Sequence, residues 1–181
     1  AILAQVDANS STPDSSLPTL LIVEDERSNL VSLERIFQRE GFRTLLADDA
    51  RIGLDVCRKQ RVHVVLTDLM LPGMSGIDLI KALHTVAPDA EVVVMTAYGT
   101  VESAVEAMRE GAYDFVEKPL KRMEIVKSVR KAAERYALLA ENRTLKNELS
   151  ALKNREIVGT SAVLRRALET AAQAAPSTAN V

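Results

Sequence analysis

The sequence predicts an α/β protein built on a doubly wound parallel sheet. Five short apolar runs alternate with stretches whose apolar residues recur every three or four positions, as in amphipathic helices. Strands that are apolar throughout indicate a sheet buried on both faces, and parallel strands require a helical crossover between them. Because such crossovers are right-handed, successive helices are expected to cover both faces of the sheet.

The predicted elements alternate along the whole first part of the chain. Strands are expected over Thr19–Val23, Arg43–Ala47, Val62–Thr67, Glu91–Met95 and Asp114–Glu117. The first helix contains Leu30, Leu33, Ile36 and Phe37 and stops at Gly41. Further helices are expected over Asp49–Lys59, Gly76–Leu83 and Val101–Arg109. A last helix follows in the segment 121–154, which contains neither Gly nor Pro and would be about 50 Å long if fully helical.

Composition restricts the class of protein. Of the 181 residues, 47% are hydrophobic and 27% charged, as in ordinary soluble globular proteins. The net charge of −2 and the lack of a basic block argue against nucleic-acid binding, and the apolar runs are too short to cross a membrane. The beginning of the chain is a poor signal peptide, and the single cysteine, Cys57, suits core packing in a reducing compartment. We therefore expect a cytoplasmic protein.

Polar side chains follow the predicted strands. Glu24 and Asp25 come after the first strand, Asp68 after the third, Thr96 after the fourth and Lys118 after the fifth. Parallel α/β sheets bind ligands at the carboxyl ends of their strands, near the point where the strand order reverses. If the first and third strands are neighbours, three carboxylates meet in one pocket. Any one of these residues alone is more often a helix cap or a turn residue, but all five at matching strand ends is a much rarer coincidence.

Charge predicts what this pocket contains. Two carboxylates about 5 Å apart repel each other by roughly 3 kcal/mol at an effective dielectric constant of about 20. Lys118 supplies one counter-charge, and a hard divalent cation is the natural second; Mg²⁺ suits a site with few carboxylates because it prefers oxygen ligands and keeps several waters. A carboxylate beside Mg²⁺ and lysine is equipped for phosphoryl transfer.

Four segments resemble those of a known family. The stretches LLIVEDE, VVLTDLMLPGMSGIDLI, VVVMTAYG and GAYDFVEKPL are similar to the motifs of the receiver domain of two-component response regulators, over residues 19–135. The resemblance implies a flavodoxin-like fold with strand order 2-1-3-4-5. It also implies that Asp68 accepts the phosphoryl group, that Asp25, Asp68 and the main-chain carbonyl of Met70 ligate Mg²⁺, and that Glu24 acts mainly through water.

The same resemblance assigns the remaining pocket residues. Thr96 and Lys118 would bind the phosphoryl oxygens, Phe115 would be the switch aromatic, and the peptide bond between Lys118 and Pro119 would be cis. Tyr98 lies two positions after Thr96, where family members vary, and we expect self-dephosphorylation to be slow; a role for Tyr98 in surface packing is equally compatible with the sequence.

The last predicted helix continues beyond the receiver as a linker. In residues 136–155 the apolar period changes to alternating steps of four and three, which places the following residues in one seam: Leu138, Asn142, Leu145, Leu149 and Leu152. With Asn142 at position a, acidic residues fall at g and lysines at the following e positions, as in a parallel two-stranded coiled coil. A solvated linker helix is the alternative.

Both ends of the chain differ from the receiver in character. Residues 1–18 predict a flexible N-terminal extension. Residues 156–181 resemble the opening of the AAA+ ATPase domain of NtrC-class, sigma-54-dependent transcriptional activators, but no GxxxxGK[ST] loop follows. The resemblance implies a truncated regulatory fragment without ATP binding, sigma-factor contact or DNA binding, although the full-length protein is expected to bind sigma-54 RNA polymerase and DNA.

The sequence thus predicts a phosphorylation-activated switch rather than a metabolic enzyme. Its expected partners are a sensor histidine kinase and a second copy, which would pair through the coiled coil and the face formed by the fourth and fifth helices. The alternative is a pseudo-receiver, a dimerisation module that works without phosphorylation. A flavodoxin-like cofactor carrier is disfavoured, because the acidic run Glu24–Glu26 would repel a phosphate, and a phosphatase with an Asp nucleophile is disfavoured because no second acid for catalysis is evident.

Overall fold

The computed structural model describes residues 17–96 and 101–153. A sheet of five parallel strands in the order β2-β1-β3-β4-β5 confirms the predicted fold class. The strands are β1 (Thr19–Val23), β2 (Arg43–Ala47), β3 (Val64–Asp68), β4 (Glu91–Thr96) and β5 (Asp114–Glu117). The helices are α1 (Arg27–Arg39), α2 (Ala50–Lys59), α3 (Gly76–Val86), α4 (Val101–Arg109) and α5 (Arg122–Lys153).

The apolar core has two layers, one on each face of the sheet. Successive residues of a strand point to opposite faces, so that Leu21 and Val23 of β1 face one layer while Leu20 and Ile22 face the other. The first layer is closed by apolar residues of α2, α3 and α4, and the second by those of α1 and α5. This is the doubly wound arrangement that the alternation of strands and helices predicts.

Local sequence explains where several helices begin and end. Asp49 caps α2 by accepting a hydrogen bond from the Arg51 N–H at 2.5 Å, and Ser75 caps α3 by accepting from the Asp78 N–H at 3.1 Å. Gly41 follows α1 with a φ of +83°, a left-handed conformation that favours glycine. Asp49 and Ser75 thus end the loops at the carboxyl edge of the sheet, whereas Gly41 lies in the loop that leads into β2 at the amino edge.

The observed elements differ from the predicted ones mainly at their ends. Strand β3 begins two residues later than predicted, at Val64. Just before it, the His63 N–H donates to the Thr19 main-chain oxygen at 3.0 Å, and the Nδ1 of His63 accepts the Thr19 N–H at 2.8 Å. Asp68 and Thr96, predicted to follow strands, are the last residues of β3 and β4. Helix α3 continues three residues beyond Leu83, to Val86.

The chain divides into two compact units, Ala1–Ala140 and Glu141–Val181. In the first unit, α5 buries Ile125, Val129 and Ala132 completely, as the sequence predicts. In the second unit, the described residues are helical, with Leu145 and Leu149 half exposed. Within the described ranges, no helix has both the length and the apolar character needed to cross a membrane.

Cys57 lies on α2, as predicted, with its side chain in the first core layer. Burial raises the pKa of its thiol to about 11, so the thiol is protonated at neutral pH. This side chain is part of the core, as the sequence indicates.

Candidate functional site

Strand register brings four strand ends to one edge of the sheet. Val23 of β1 is paired with Thr67 of β3, Asp68 with Met95 of β4, and Thr96 with Glu117 of β5. The residues that follow these pairs therefore lie side by side. The carboxyl edge is continuous from β1 to β5, which is the geometry that a pocket shared by several strands requires.

An acidic cluster lies at this edge. Carboxylate oxygens of Glu24, Asp25 and Asp68 all lie within 4.8 Å of one another. Glu24 is 1% exposed and Asp68 is 5% exposed, whereas Asp25 faces solvent. Carboxylates are the oxygen ligands that hard divalent cations prefer, and the mixture of buried and exposed groups leaves room for water on the open side. The donor set therefore fits Mg²⁺.

Lys118 supplies the positive charge beside this cluster. Its Nζ lies 2.5 Å from Oδ2 of Asp68 and 2.9 Å from Oε2 of Glu24. Burial by itself lowers the pKa of Lys118, but the hydrogen bonds to the two carboxylates outweigh it, so that the pKa lies above its ordinary value. Lys118 is therefore a fixed cation at neutral pH, and it bridges the ends of β1 and β3.

The loop after β3 holds Asp68 from its other side. The Met70 N–H donates to Oδ1 of Asp68 at 2.9 Å, while the Lys118 ammonium donates to Oδ2. Gly76, at the start of α3, packs directly against this loop: a Cβ there would be 2.5 Å from the main-chain oxygen of Asp68. The site thus needs glycine at position 76, and both oxygens of Asp68 have a donor.

Thr96 and Phe115 occupy different environments near the pocket. Thr96 is the buried last residue of β4, 3% exposed, and its main-chain oxygen accepts the Lys118 N–H at 2.7 Å. Phe115 lies on β5 and is 44% exposed, so it is not part of the buried core. The Lys118–Pro119 peptide bond is cis, as the resemblance implies.

The comparison with known families decides what this pocket belongs to. Residues 20–130 match the family model described as the response regulator receiver domain, which is more than half of the chain. The chain belongs to the response regulator receiver family. It is therefore a regulatory signalling domain, and the acidic pocket is the part of the receiver at which its chemistry is expected.

Two of the proteins to which this chain is similar differ in length. Over 160 residues the chain is 35% identical to the C4-dicarboxylate transport transcriptional regulatory protein DctD of Pseudomonas aeruginosa; the match covers 87% of this chain and 34% of DctD. Sporulation initiation phosphotransferase F of Bacillus subtilis is 32% identical over 123 residues, which cover 68% of this chain and 96% of that protein. The chain thus spans about a third of the length of DctD.

A solved structure is similar in both sequence and fold. The solution structure of the beryllofluoride-activated NtrC4 receiver domain dimer superposes with a TM-score of 0.62 at 31% identity, covering 65% of this chain and 98% of that one. This likeness agrees with the strand order and with the assignment of residues 20–130 to the receiver.

The structure places most of the predicted site residues at the same edge of the sheet. Glu24, Asp25, Asp68 and Lys118 come together in one cluster. Thr96 ends a strand at the same edge, and Met70 contacts Asp68 through its N–H. Tyr98 lies outside the described residues, as do positions 1–16 and 154–181.

One side chain at the receiver pocket was missed by sequence reasoning. Asn29, in the first turn of α1, directs its amide towards Glu24 and Glu26. Only its position in the chain could have indicated Asn29, because the first turn of a helix that follows a strand lies beside the carboxyl end of that strand. An asparagine there is common as a capping or surface residue, so its type does not single it out.

Proposed function

We propose that the receiver accepts a phosphoryl group on Asp68 from a sensor histidine kinase, with the help of Mg²⁺. One observation supports this most strongly: Asp68 lies between the Lys118 ammonium, 2.5 Å away, and two further carboxylates that fit a divalent cation. A carboxylate with cationic groups on both sides can attack phosphorus while its neighbours neutralise the phosphoryl oxygens.

The proposed roles divide the pocket into ligands and binding groups. Asp25, Asp68 and the main-chain carbonyl of Met70 would ligate Mg²⁺ directly, and Glu24 would act through water. Mg²⁺ would supply positive charge next to the phosphoryl oxygens. In the transfer, an Asp68 oxygen forms the bond to phosphorus as the bond from phosphorus to the kinase histidine nitrogen breaks, and Lys118 donates hydrogen bonds to the phosphoryl oxygens.

Acetyl phosphate tests this chemistry without the kinase. With Mg²⁺, the wild-type chain should gain the mass of one phosphoryl group, located on Asp68 by peptide mapping. The Asp68→Asn variant should gain none, and chelation of Mg²⁺ should suppress labelling of the wild type. A wild-type chain that binds neither acetyl phosphate nor BeF₃⁻ at Asp68 would instead be a pseudo-receiver, and the proposal would be wrong.

We further propose that Thr96 and Phe115 report the phosphorylated state. Thr96 would move to hydrogen-bond the phosphoryl group, and the Phe115 ring, now 44% exposed, would turn into the space that Thr96 leaves. One hydrogen bond to a charged group stabilises by about 1.5–3 kcal/mol. Driving a two-state protein from 1:99 to 99:1 requires about 5.5 kcal/mol. A second source of energy is therefore needed, and dimerisation is the natural candidate.

Exposed apolar residues support a dimer on the face formed by α4 and α5. Val105 and Met108 of α4 are 40% and 44% exposed, and Met123 of α5 is 86% exposed. The similar NtrC4 receiver is described as a dimer in its beryllofluoride-activated state. Burying these side chains between two copies would add apolar stabilisation to the switch.

The linker would provide a second dimer contact. Leu138, Leu145 and Leu149 are 66%, 51% and 57% exposed, although leucines with this spacing are normally covered. We propose that residues 136–155 form a parallel two-stranded coiled coil between the receiver, residues 19–135, and the start of an ATPase domain at residues 156–181. In the full-length protein, dimer geometry would then control an ATPase that acts with sigma-54 RNA polymerase on DNA.

Thr96→Ala tests whether dimerisation after phosphorylation depends on Thr96. This variant should still be labelled by acetyl phosphate, because Asp68 and its neighbours are intact, but its phosphorylation-dependent dimerisation should weaken. Sedimentation with and without BeF₃⁻ measures the change. If Thr96→Ala dimerises on BeF₃⁻ addition as the wild type does, Thr96 is not part of the switch.

A further inference from the structure

The Glu24 side chain is held at both of its oxygens. Lys118 donates to Oε2 at 2.9 Å, and the amide Nδ2 of Asn29 lies 3.4 Å from Oε1, at the long end of the hydrogen-bond range. Glu24 is 1% exposed, so water does not replace a lost donor easily. The direction of this carboxylate therefore depends on one charged donor and one neutral donor.

The same Asn29 amide also holds a second carboxylate. Its Nδ2 donates to Oε2 of Glu26 at 2.9 Å, and the Ser28 hydroxyl donates to Oε1 of Glu26 at 2.6 Å. Glu26 is exposed, whereas Glu24 is buried. Asn29 thus stands between a surface carboxylate and a pocket carboxylate, and α1 fixes its position.

We propose that Asn29 is a positioning residue of the cation site and acts by orienting the Glu24 carboxylate. This inference rests on the proposed function, because it takes the acidic cluster to be a Mg²⁺ site. Residues that hydrogen-bond to the groups around a metal orient them, and losing such a residue typically weakens metal binding about 10–100-fold. An amide suits this task here, since it donates to Glu24 without adding a charge that would repel or compete with the cation.

The charge balance explains why a neutral donor is needed. Lys118 already bridges Glu24 and Asp68, and both of these carboxylates must still be able to face a cation. A second positive side chain at position 29 would neutralise the cluster that attracts the cation. Without any donor at position 29, Oε1 of Glu24 would be free to turn towards Lys118 and away from the cation. Asn29 therefore keeps Glu24 in place without lowering the negative charge.

Mg²⁺ titration of the metal-free chain tests the proposal. Asn29→Leu keeps a side chain branched at Cγ but has no donor, and its Kd for Mg²⁺, measured by calorimetry, should rise about tenfold. Ser28→Ala is the matched control: it removes one hydrogen bond to Glu26 and leaves both Asn29 contacts, so its Kd should stay within about twofold of the wild type. If Asn29→Leu fails to fold, Asn29→Ala takes its place.

A second readout distinguishes positioning from a general structural role. The NMR shift of the Glu24 carboxyl carbon, followed at one fixed pH in the metal-free chain, should change in Asn29→Leu because Oε1 loses its amide donor, and should not change in Ser28→Ala. Wild-type affinity for Mg²⁺ in Asn29→Leu, or a change as large in Ser28→Ala, would overturn the proposal while leaving the proposed function intact. Absence of Mg²⁺ binding in the wild type would instead overturn the proposed function, and this inference with it.

Discussion

The two ends of the sheet make an instructive comparison, since both bury carboxylates to the same degree. At the carboxyl edge, Asp68 is 5% exposed; at the amino edge, Glu91 at the start of β4 is 6% exposed. Only Asp68 lies in a cluster that contains more negative than positive charges. The difference shows that burial of an acidic group does not mark a functional site, whereas the balance of its partners does.

The amino edge is neutralised by its own neighbours. Arg135 of α5 lies 2.5 Å from Glu91, and its guanidinium stacks over the Tyr113 ring. Nearby, the His63 and Tyr136 rings pack edge to face with centroids 4.6 Å apart. Glu91 and His63 thus each contact a residue of α5, and these contacts hold α5 against the sheet.

The carboxyl edge is left with unbalanced charge. Glu24 and Asp68 share the single ammonium of Lys118, while Asp25 adds a third carboxylate to the same cluster. A cation that binds from solution would stabilise such a cluster. The change in stability on adding a divalent cation should therefore distinguish the two edges. Three variants test this, and a fourth tests the amino edge by pH.

Lys118→Met should have the largest effect. Removing the ammonium leaves the acidic cluster without a counter-charge and should lower the free energy of unfolding by roughly 3 kcal/mol in the absence of divalent cations. Mg²⁺ should restore much of this loss, giving the variant a larger Mg²⁺-induced rise in stability than the wild type. Urea denaturation with and without Mg²⁺ measures both quantities, and an equal Mg²⁺ effect in the two proteins would contradict the prediction.

Arg135→Met is the counterpart at the amino edge. It leaves Glu91 buried without its cation, and it should lower the free energy of unfolding by roughly 2 kcal/mol, less than for Lys118 because the arginine is half exposed. Mg²⁺ should not restore this loss. Adding Glu91→Leu should recover part of the stability, since it removes the unpaired charge; recovery by Mg²⁺ would show that this edge also binds cations.

Asp25→Asn should have a smaller effect of opposite sign. Removing one carboxylate relieves repulsion, so the metal-free protein should gain roughly 0.5–1 kcal/mol in its free energy of unfolding, a modest value because Asp25 is exposed. In Mg²⁺ the order should reverse, because the variant lacks a ligand. Thermal denaturation under both conditions suffices, and a variant that is less stable without Mg²⁺ would argue against a repulsive cluster.

His63→Asn should have the smallest pH-dependent effect of the four, on top of a pH-independent loss of the ring contact with Tyr136. Burial, followed by the charge of Arg61, lowers the pKa of His63 below its ordinary value of 6.5. His63 is a base whose pKa is lower in the folded chain than in the unfolded chain. Its contribution to the free energy of unfolding is therefore complete above pH 6.5 and is lost as the pH falls below 6.5. The asparagine oxygen can still accept the Thr19 N–H but does not titrate. The wild type should therefore lose more stability than His63→Asn between pH 7 and about pH 5.5, by denaturant titration; parallel curves would contradict this.

The sequence predicts the carboxyl edge better than the amino edge, for a physical reason. At the carboxyl edge, each pocket residue directly follows or ends a strand, so the parallel topology alone brings Asp25, Asp68 and Lys118 together. At the amino edge, Arg135 and Tyr136 arrive from α5, and their contacts with Glu91 and His63 depend on how far the helix runs and how it is rotated. Topology does not determine that rotation.

The contacts of Asn29 and the start of β3 likewise could not be predicted from the sequence. The hydrogen bond from Asn29 to Glu24 depends on the side-chain direction in the first helical turn, which the apolar pattern does not specify. Strand β3 begins at Val64, and the imidazole of the preceding His63 accepts the Thr19 N–H, a contact that its residue type does not predict. Patterns predict elements and edges, whereas individual side-chain contacts require coordinates.

The buried, protonated thiol of Cys57 gives this chain a practical property. It is the single cysteine in the sequence, and with a pKa of about 11 it should react slowly with maleimides and methanethiosulfonates at neutral pH. A cysteine introduced at an exposed position such as Ala137 could then carry a spin label selectively, without removing the native residue. Distances between labels on two copies would test the proposed pairing of the linker helices directly, in solution and as a function of BeF₃⁻.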